Sequence, residues 1–415
     1  MTQPLNWRGR FFTIWGGQAF SMVGSSLVRF ALVWWLTEET GSATVLTSAT
    51  LISSLPMIGL APFAGALVDR WDRRWVMVIA DAMIALFTGA LAYLFWLGIA
   101  EVWHVYVMLF LRAFGDVFQT PAMRASTSLL VPKDQLARVG GLNETLLGVI
   151  NIVSPPLGAL LVETINMQGT LAIDLVTAMM AIAPLLFIRI PQPPVIRIEG
   201  GGAGSSVWQE MITGFRFVWQ WQGLFFMFMV LGGLRFFMAP AFSLLPLMVT
   251  DHFGGEALEL GWINSAHGLG FIAGGFLLSI WGGFKRRTAT AVLGLAGLGV
   301  GSLAFGLVPA DAFWLAMVAM FLRTMMLPMV RGSVMAIFQI HVPPDLQGRV
   351  FNLLLSSLSL MAPVGLALGG PLADAYGVPM IFVITGVGCM GIALIWLLNP
   401  SIMQLESEGH PHARD

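Results

Sequence analysis

The chain has 415 residues, of which 57% are hydrophobic and only 10% are charged, and its net charge is −1. A soluble domain carries about 25% charged residues, so this composition, with a mean hydropathy of +0.81, excludes a water-soluble globule. The apolar excess predicts a protein that lies in a lipid bilayer.

Twelve mostly apolar runs follow one another along the chain, each close to the length of about 20 residues that a membrane-spanning helix needs. We number them spans 1 to 12. In chain order they cover residues 11–36, 43–67, 75–99, 103–123, 139–162, 169–189, 222–249, 258–281, 289–308, 312–334, 350–373 and 378–398. The sequence thus predicts an all-α integral membrane protein with twelve transmembrane helices.

The positive charges predict how these helices are oriented. Four of the 21 Lys and Arg residues lie well inside spans, and the others fall in the termini, in the loops of one side or at the span ends next to those loops. Such residues tend to remain cytoplasmic, and the opposite loops carry acidic residues such as Glu101, Glu163 and Asp374. Span 1 is too long for a cleaved signal peptide. We therefore expect both termini in the cytoplasm and a multi-pass protein of the cell (cytoplasmic or inner) membrane.

An internal repeat divides the chain into two halves of six spans. A shift of 211 residues aligns Arg112 with Arg323, and a shift of 206 aligns Arg29 with Arg235. Between the halves lies a segment rich in Pro, Gly and Ser, which is typical of a flexible linker. The predicted organisation is an N-terminal six-helix bundle over 1–189, a cytoplasmic linker over 190–210, a C-terminal six-helix bundle over 211–400 and a cytoplasmic tail over 401–415.

Several motifs resemble those of the major facilitator superfamily. The loop between spans 2 and 3 reads GALVDRWDRR from Gly65 to Arg74 and is similar to the family signature GxLaDRxGRR, with Asp72 in place of a glycine. Span 5 carries a variant of the antiporter signature GxxxGPxxGG, with Ser154 before the proline. The stretches PAM, LVP and GLN between residues 121 and 143 are most similar to the macrolide-efflux-type branch of drug and siderophore exporters. The resemblance covers about residues 10 to 400.

This resemblance implies the twelve-helix fold of the family, with two pseudo-symmetric bundles that move about a central site. It also implies a cytoplasmic conformational gate, in which Gly65 permits close helix packing and Asp69 lies beside arginines. The alternative is an ordinary basic loop that only sets topology. The gate candidates are Gly65, Asp69, Arg70, Arg73, Arg74 and Asp81, the last as a partner of the gate arginines.

Charged residues inside the spans are the candidates for proton coupling, because an ionisable group in hydrocarbon is normally paired or faces water. Arg112, Asp116 and Gln119 are spaced i, i+4 and i+7, so they share one helix face on which Arg112 and Asp116 can pair. By resemblance, Arg112 stands where the family's drug–proton antiporters have an arginine linked to coupling. A static ion pair is the alternative. His267 is a further candidate, as is Asp174, which we expect to reach interfacial water.

By resemblance, spans 1, 4, 7 and 10 line the substrate cavity, and each contains one arginine that we expect to be buried. The C-terminal half has no carboxylate in the interior of its spans, since Glu259 stands at the outer end of span 8, and this favours an anionic or zwitterionic amphiphile. The cavity candidates are Arg29, Ser25, Gln119, Asn151, Arg235, Asn264 and Arg323.

The expected function is secondary active transport by alternating access. The sequence has no GxxxxGK[ST] loop for a nucleotide, and no catalytic or metal-binding constellation, so neither an enzyme nor a resident cofactor is expected. We predict a proton-coupled exporter of amphiphilic drugs, macrolides or siderophores that works as a monomer, without nucleic acid partners. The alternatives are a lipid or lysolipid flippase, an organic-anion carrier and, from another class, a channel.

Overall fold

The computed structural model describes residues 7–188, 190, 222–342 and 344–399. Within these residues the regular structure is helical, without strands, as the predicted all-α class requires. The main helices are α1 Trp7–Thr40, α2 Ala43–Arg70, α3 Arg73–Leu97, α4 Val102–Leu130, α5 Leu136–Phe187, α6 Gln222–Ser243, α7 Ala257–Trp281, α8 Arg287–Leu307, α9 Phe313–Met325, α10 Leu327–His341, α11 Pro344–Tyr376 and α12 Val378–Leu398.

Nine helices in the described part of the chain are long and apolar enough to cross a membrane. The total of twelve spans and the location of the termini stay predictions. The linker predicted over 190–210 lies outside the described residues except for residue 190, and so does the whole tail over 401–415.

Two predicted boundaries differ from the observed ones, each for a local reason. Spans 5 and 6 form two helical parts of α5 that meet at Asn166, and the six-residue loop expected between them is reduced to this residue, which leaves the helical conformation at φ 59° and ψ 179°. Span 10 is divided into α9 and α10, with Pro328 in the first turn of α10. A proline ring clashes with the carbonyl four residues earlier and donates no hydrogen bond, so the helix breaks before Pro328.

The described chain forms two compact units. Unit 1 comprises residues 1–41, 49–198 and 256–264, and unit 2 comprises residues 42–48, 199–255 and 265–415. In unit 1, α1 packs closely on α5. A Cβ atom at Gly17 would lie only 2.5 Å from the Met180 carbonyl oxygen, so the absence of a side chain there permits this approach. Small residues at such positions let helix backbones approach each other. In unit 2, Leu231, Leu295 and Trp396 belong to one apolar core.

The first turn of α2 belongs to unit 2, where Asp374 of α11 caps it. The Asp374 carboxylate accepts hydrogen bonds from the backbone N–H groups of Ala43 at 2.7 Å and Thr44 at 3.0 Å. The first N–H groups of a helix have no partner within the helix, so this carboxylate satisfies two of them. Burial raises the pKa of Asp374, but the hydrogen bonds from Thr44, Ala43 and Ser42 outweigh it and hold this pKa below its usual value of 3.8.

We expect Asp374→Ala to lower the stability of the protein by about 1 kcal/mol, the typical effect of losing a helix cap. The measurement is the thermal unfolding midpoint in detergent at pH 7. Asp311→Ala is the matched control, because Asp311 is an exposed carboxylate with no hydrogen bond to a described helix start. An equal loss of stability in both variants would contradict the capping role.

The pH dependence of this contribution follows from the lowered pKa. Because the folded-state pKa of Asp374 lies below the ordinary value of 3.8, the stabilisation is present above pH 3.8 and is lost as the pH falls through the folded-state value. The difference in unfolding midpoint between the wild type and Asp374→Ala should therefore be constant from pH 8 to pH 5 and shrink below about pH 4.

Candidate functional site

One face of α4 organises the polar interior of unit 1. Arg112, Asp116 and Gln119 lie on this face as their spacing predicts, but each contacts a different set of residues. Arg112 and Gln119 make buried and partly buried contacts, whereas the Asp116 side chain is half exposed. The face therefore carries three separate polar groups.

The first group is a buried ion pair between α4 and α5. Nη1 of Arg112 lies 2.6 Å from Oδ2 of Asp174, and the two residues are only 7% and 1% exposed. Thr88 of α3 accepts a hydrogen bond from Arg112 at 3.0 Å and donates one to Asp174 at 3.1 Å. Ser25 of α1 adds a donor to Asp174 at 3.3 Å. Four helices thus meet at one ion pair.

This pair corrects two predictions. Arg112 pairs with Asp174 and not with Asp116, and Asp174 is enclosed by protein instead of reaching interfacial water. The physical reason is that a buried charge needs an opposite charge and hydrogen bonds to offset its desolvation. The long Arg112 side chain reaches Asp174 of α5 and Thr88 of α3, where both requirements are met.

The second group is a more open pair. Nη2 of Arg29 on α1 lies 3.8 Å from Oδ2 of Asp116, and the side chains are 69% and 50% exposed. Arg29 is therefore not buried, contrary to the prediction, and Arg235 of α6 is also exposed. Of the four arginines inside the spans, only Arg112 and Arg323 are enclosed, because each packs among groups that satisfy its N–H donors.

The third group replaces a predicted gate contact. Asp81 of α3 is 3% exposed and accepts a hydrogen bond from Gln18 of α1 at 2.8 Å. Gln119 donates a second one to the other carboxylate oxygen. The expected pairing of Asp81 with the gate arginines is wrong, because Asp81 lies more than two turns inside α3, which begins at Arg73.

The segment with the family signature contains helix caps. Asp72, the departure from the signature, accepts a hydrogen bond from the backbone N–H of Arg74 at 3.0 Å and so caps α3. The Arg74 guanidinium donates to the carbonyls of Leu185 and Leu186, at the end of α5. Cations stabilise that end of a helix.

The other gate candidates differ in exposure. Arg70 ends α2 and is exposed, whereas Arg73 is buried. No described atom lies within 4 Å of a Cβ placed at Gly65, so the close approach predicted there is not seen in the described part of the chain. The side chain of Asp69 lies outside the described residues. Gating by this segment stays a prediction.

Unit 2 contains a buried arginine that corresponds to Arg112. Arg323 is 0% exposed, and its Nε donates to the Ser302 hydroxyl of α8 at 2.9 Å, as Arg112 donates to Thr88. Its terminal nitrogens contact the sulfur atoms of Met320 and Met238 at 3.4 and 3.3 Å. None of its described hydrogen bonds reaches a carboxylate.

Aligning the two halves by the repeat shows why Arg323 lacks, among its described contacts, the carboxylate partner that Arg112 has. Adding the shift of 211 to position 174 gives position 385, where the chain has Thr385. The hydroxyl of Thr385 donates to the Phe237 carbonyl at 3.0 Å instead of binding the arginine. The second half thus keeps the arginine and the hydroxyl but not the acid.

The remaining candidates do not join these groups. Asn264 donates to the Leu260 carbonyl of its own helix at 2.9 Å, and Asn151 is exposed. The His267 ring lies 5.6 Å from that of Phe242, and its Nδ1 has no described partner. Sequence reasoning missed Thr88, although its spacing of seven residues from Asp81 places both on one face of α3.

Comparison with known proteins relates the whole chain to exporters. The family model described as transmembrane secretion effector matches residues 3–414. Macrolide efflux protein A of Streptococcus pyogenes is 33% identical over 401 residues, covering 97% of this chain and 98% of its own length. Multidrug efflux pump Tap of Mycolicibacterium fortuitum is 26% identical and covers 94% and 95%.

Solved structures agree on the fold. A bacterial homologue of the human lysosomal transporter Spinster, in an inward-facing and unoccupied conformation, superposes with a TM-score of 0.72. It is 13% identical, and the match covers 98% of this chain and 100% of that one.

The buried pair and the open pair should respond differently to neutralisation. We expect Asp174→Asn to destabilise the protein by about 3 kcal/mol, because it leaves the buried Arg112 charge unpaired. Asp116→Asn is the matched control and should change stability by less than about 1 kcal/mol, because its pair with Arg29 is exposed. The measurement is the thermal unfolding midpoint of both variants in the same detergent.

A double variant separates charge from packing in this test. Replacing both partners with apolar residues of similar size, as in Arg112→Met with Asp174→Leu, removes the charge imbalance and should recover most of the lost stability. If the double variant is as unstable as Asp174→Asn, the loss does not come from an unpaired arginine.

Proposed function

Because the chain belongs to the transmembrane secretion effector family of the major facilitator superfamily, we propose that it exports amphiphilic small molecules in exchange for protons. The chain is a multi-pass membrane efflux transporter of the cell membrane. The proposal adds the class of substrate, the coupling ion and the mode of alternating access.

Macrolides are the first substrate class that we propose, with other amphiphilic drugs and siderophores after them. The support is the similarity over nearly the full length to a macrolide efflux protein and to a multidrug efflux pump. Because a shared fold does not fix a substrate, this part of the proposal depends on transport measurements.

The open pair between Arg29 and Asp116 is the single observation that carries the proposed coupling. At 3.8 Å and about half exposed, it is weakly held, since exposed ion pairs contribute less than about 1 kcal/mol. A proton or a polar group of a substrate can therefore take the place of Arg29 at the Asp116 carboxylate. Competition between proton and substrate at this carboxylate would link substrate binding to proton release.

Alternating access is proposed from the repeat in the sequence. Many secondary transporters consist of two related halves that rock about a substrate site between them. The buried Arg112–Asp174 pair holds α3, α4 and α5 together. We propose that unit 1 keeps this pair intact while the Asp116 pair opens and closes.

A second candidate function, the carriage of organic anions, is favoured by one observation. Arg235 and Arg331 are exposed and close enough for their charges to interact, and no described ion pair involves either of them. An anionic substrate would be attracted to such an excess of positive charge. Competition by organic anions in the transport assay below distinguishes this candidate from export of neutral or cationic amphiphiles.

We expect everted membrane vesicles that contain the protein to accumulate labelled erythromycin, a macrolide, when the vesicle interior is made acidic. The gradient should drive accumulation because protons leave as the substrate enters. An uncoupler that collapses the gradient should abolish the effect, and vesicles without the protein are the control. Equal accumulation with and without a gradient would rule out proton antiport.

The role of Asp116 is tested in the same vesicles. Asp116→Asn keeps the size of the side chain but cannot ionise, so gradient-driven accumulation should be lost. Asp134→Asn, which changes an exposed carboxylate in the turn after α4, should transport like the wild type. If the gradient still drives full accumulation in Asp116→Asn, that carboxylate is not needed for coupling.

A further inference from the structure

The buried carboxylate of Asp81 is surrounded by the neutral amide side chains of Gln18 and Gln119. We call these three residues the Asp81 cluster. Nε2 of Gln18 donates to Oδ2 of Asp81 at 2.8 Å, and Nε2 of Gln119 donates to Oδ1. Gln119 also donates to Oε1 of Gln18 at 2.9 Å. Each member of the cluster thus contacts the other two, and they come from α3, α1 and α4.

Unlike Asp116 and Asp174, Asp81 has no arginine partner among the described residues. Asp174 is paired with Arg112 at 2.6 Å, and Asp116 lies 3.8 Å from Arg29. No described ion pair involves Asp81. An ionised carboxylate that is buried without an opposite charge is much less favourable than a paired one.

The charges around the cluster reinforce this difference. Asp81 interacts electrostatically with the carboxylates of Asp116 on α4 and Asp174 on α5, whose own partners are Arg29 and Arg112, while Arg73 and Arg74 lie at the start of α3 about 12 Å along the helix axis. Arg124 of α4 and Glu144 of α5 are exposed. Asp81, Asp116 and Asp174 together with Arg29 and Arg112 carry one more negative than positive charge when all are ionised, and one bound proton makes this set of five groups neutral.

The two glutamines suit either protonation state of the carboxyl group. An ionised carboxylate accepts hydrogen bonds from both amide groups, whereas a protonated one donates from its O–H and needs an acceptor. A glutamine amide supplies that acceptor through its own oxygen once it rotates. The cluster therefore has donors for the charged form and an acceptor for the neutral form, and a change of state alters how α1 and α4 are held to α3.

We propose that Asp81 is a proton-binding site that links the proton gradient to the packing of α1, α3 and α4, with Gln18 and Gln119 as positioning residues. This inference rests on the proposed proton antiport. A proton from the outer solution binds a carboxylate oxygen of Asp81, and the O–H bond breaks again when the proton leaves to the cytoplasm. Asp116 keeps its role at the substrate, and Asp81 senses the proton at a distance from it.

The experiment uses the full-length protein in liposomes with labelled erythromycin and measures two kinds of transport. The first is accumulation driven by a pH gradient, and the second is counterflow against unlabelled erythromycin with no gradient. We expect Asp81→Asn to lose gradient-driven accumulation, down to the level of protein-free liposomes, and to keep wild-type counterflow. Asp134→Asn, whose carboxylate is bound by Gln135 on the surface, is the matched control and should keep both.

The outcomes separate this inference from the proposed function. If wild-type protein shows counterflow but does not respond to a gradient, proton antiport is wrong and the role of Asp81 is wrong with it. If the wild type responds and Asp81→Asn responds equally, only the role of Asp81 is wrong. Loss of both kinds of transport in a folded Asp81→Asn would also overturn it, because that result indicates a general requirement for structure.

A second set of variants keeps the proposal testable if Asp81→Asn does not fold. Gln18→Ala and Gln119→Ala each remove one donor from the ionised carboxylate, so the midpoint of the pH profile of gradient-driven accumulation should move to higher pH. Gln135→Ala, which removes a surface glutamine bound to Asp134, should leave the midpoint unchanged. An unchanged midpoint in both cluster variants would show that Asp81 is not the titrating group.

Discussion

Charge inside an apolar interior must be matched by opposite charge or by hydrogen bonds, and this requirement governs the polar groups of unit 1. The Arg112–Asp174 pair meets it most completely, because Thr88 and Ser25 satisfy the remaining hydrogen-bonding groups of the carboxylate. Removing either partner leaves a buried charge unpaired. The pair consequently holds α3, α4 and α5 in one arrangement, and the other polar groups are built around it.

The other two carboxylates, Asp116 and Asp81, are held less strongly than Asp174 in its pair with Arg112. Asp116 is half exposed beside Arg29, so a competing ligand can reach it. Asp81 is enclosed, and its described hydrogen bonds come from the amides of Gln18 and Gln119, so a change in its protonation would break no described ion pair. The three groups lie on successive turns of α4, so this helix connects the proposed substrate and proton sites to the buried ion pair.

Corresponding arginines in the two halves of the chain have similar burial but different charged partners. Arg112 and Arg323 are buried and donate to a hydroxyl on the preceding helix, while Arg29 and Arg235 are exposed. The arginines that align in the sequence repeat therefore also have similar surroundings in the structure. Among the described residues, the buried arginine of unit 1 has a carboxylate partner and the buried arginine of unit 2 has none.

Hydropathy, charge bias and the repeat were enough to predict the helical class, the limits of most spans and the shared face of Arg112, Asp116 and Gln119, because these depend on spacing along one chain segment. The partners of those residues required the tertiary structure. Arg112 binds Asp174, 62 residues away, since the close approach of α1 and α5 and the rotation of each helix decide which side chains meet. Periodicity orients a residue within its own helix, and packing between helices selects the group across from it.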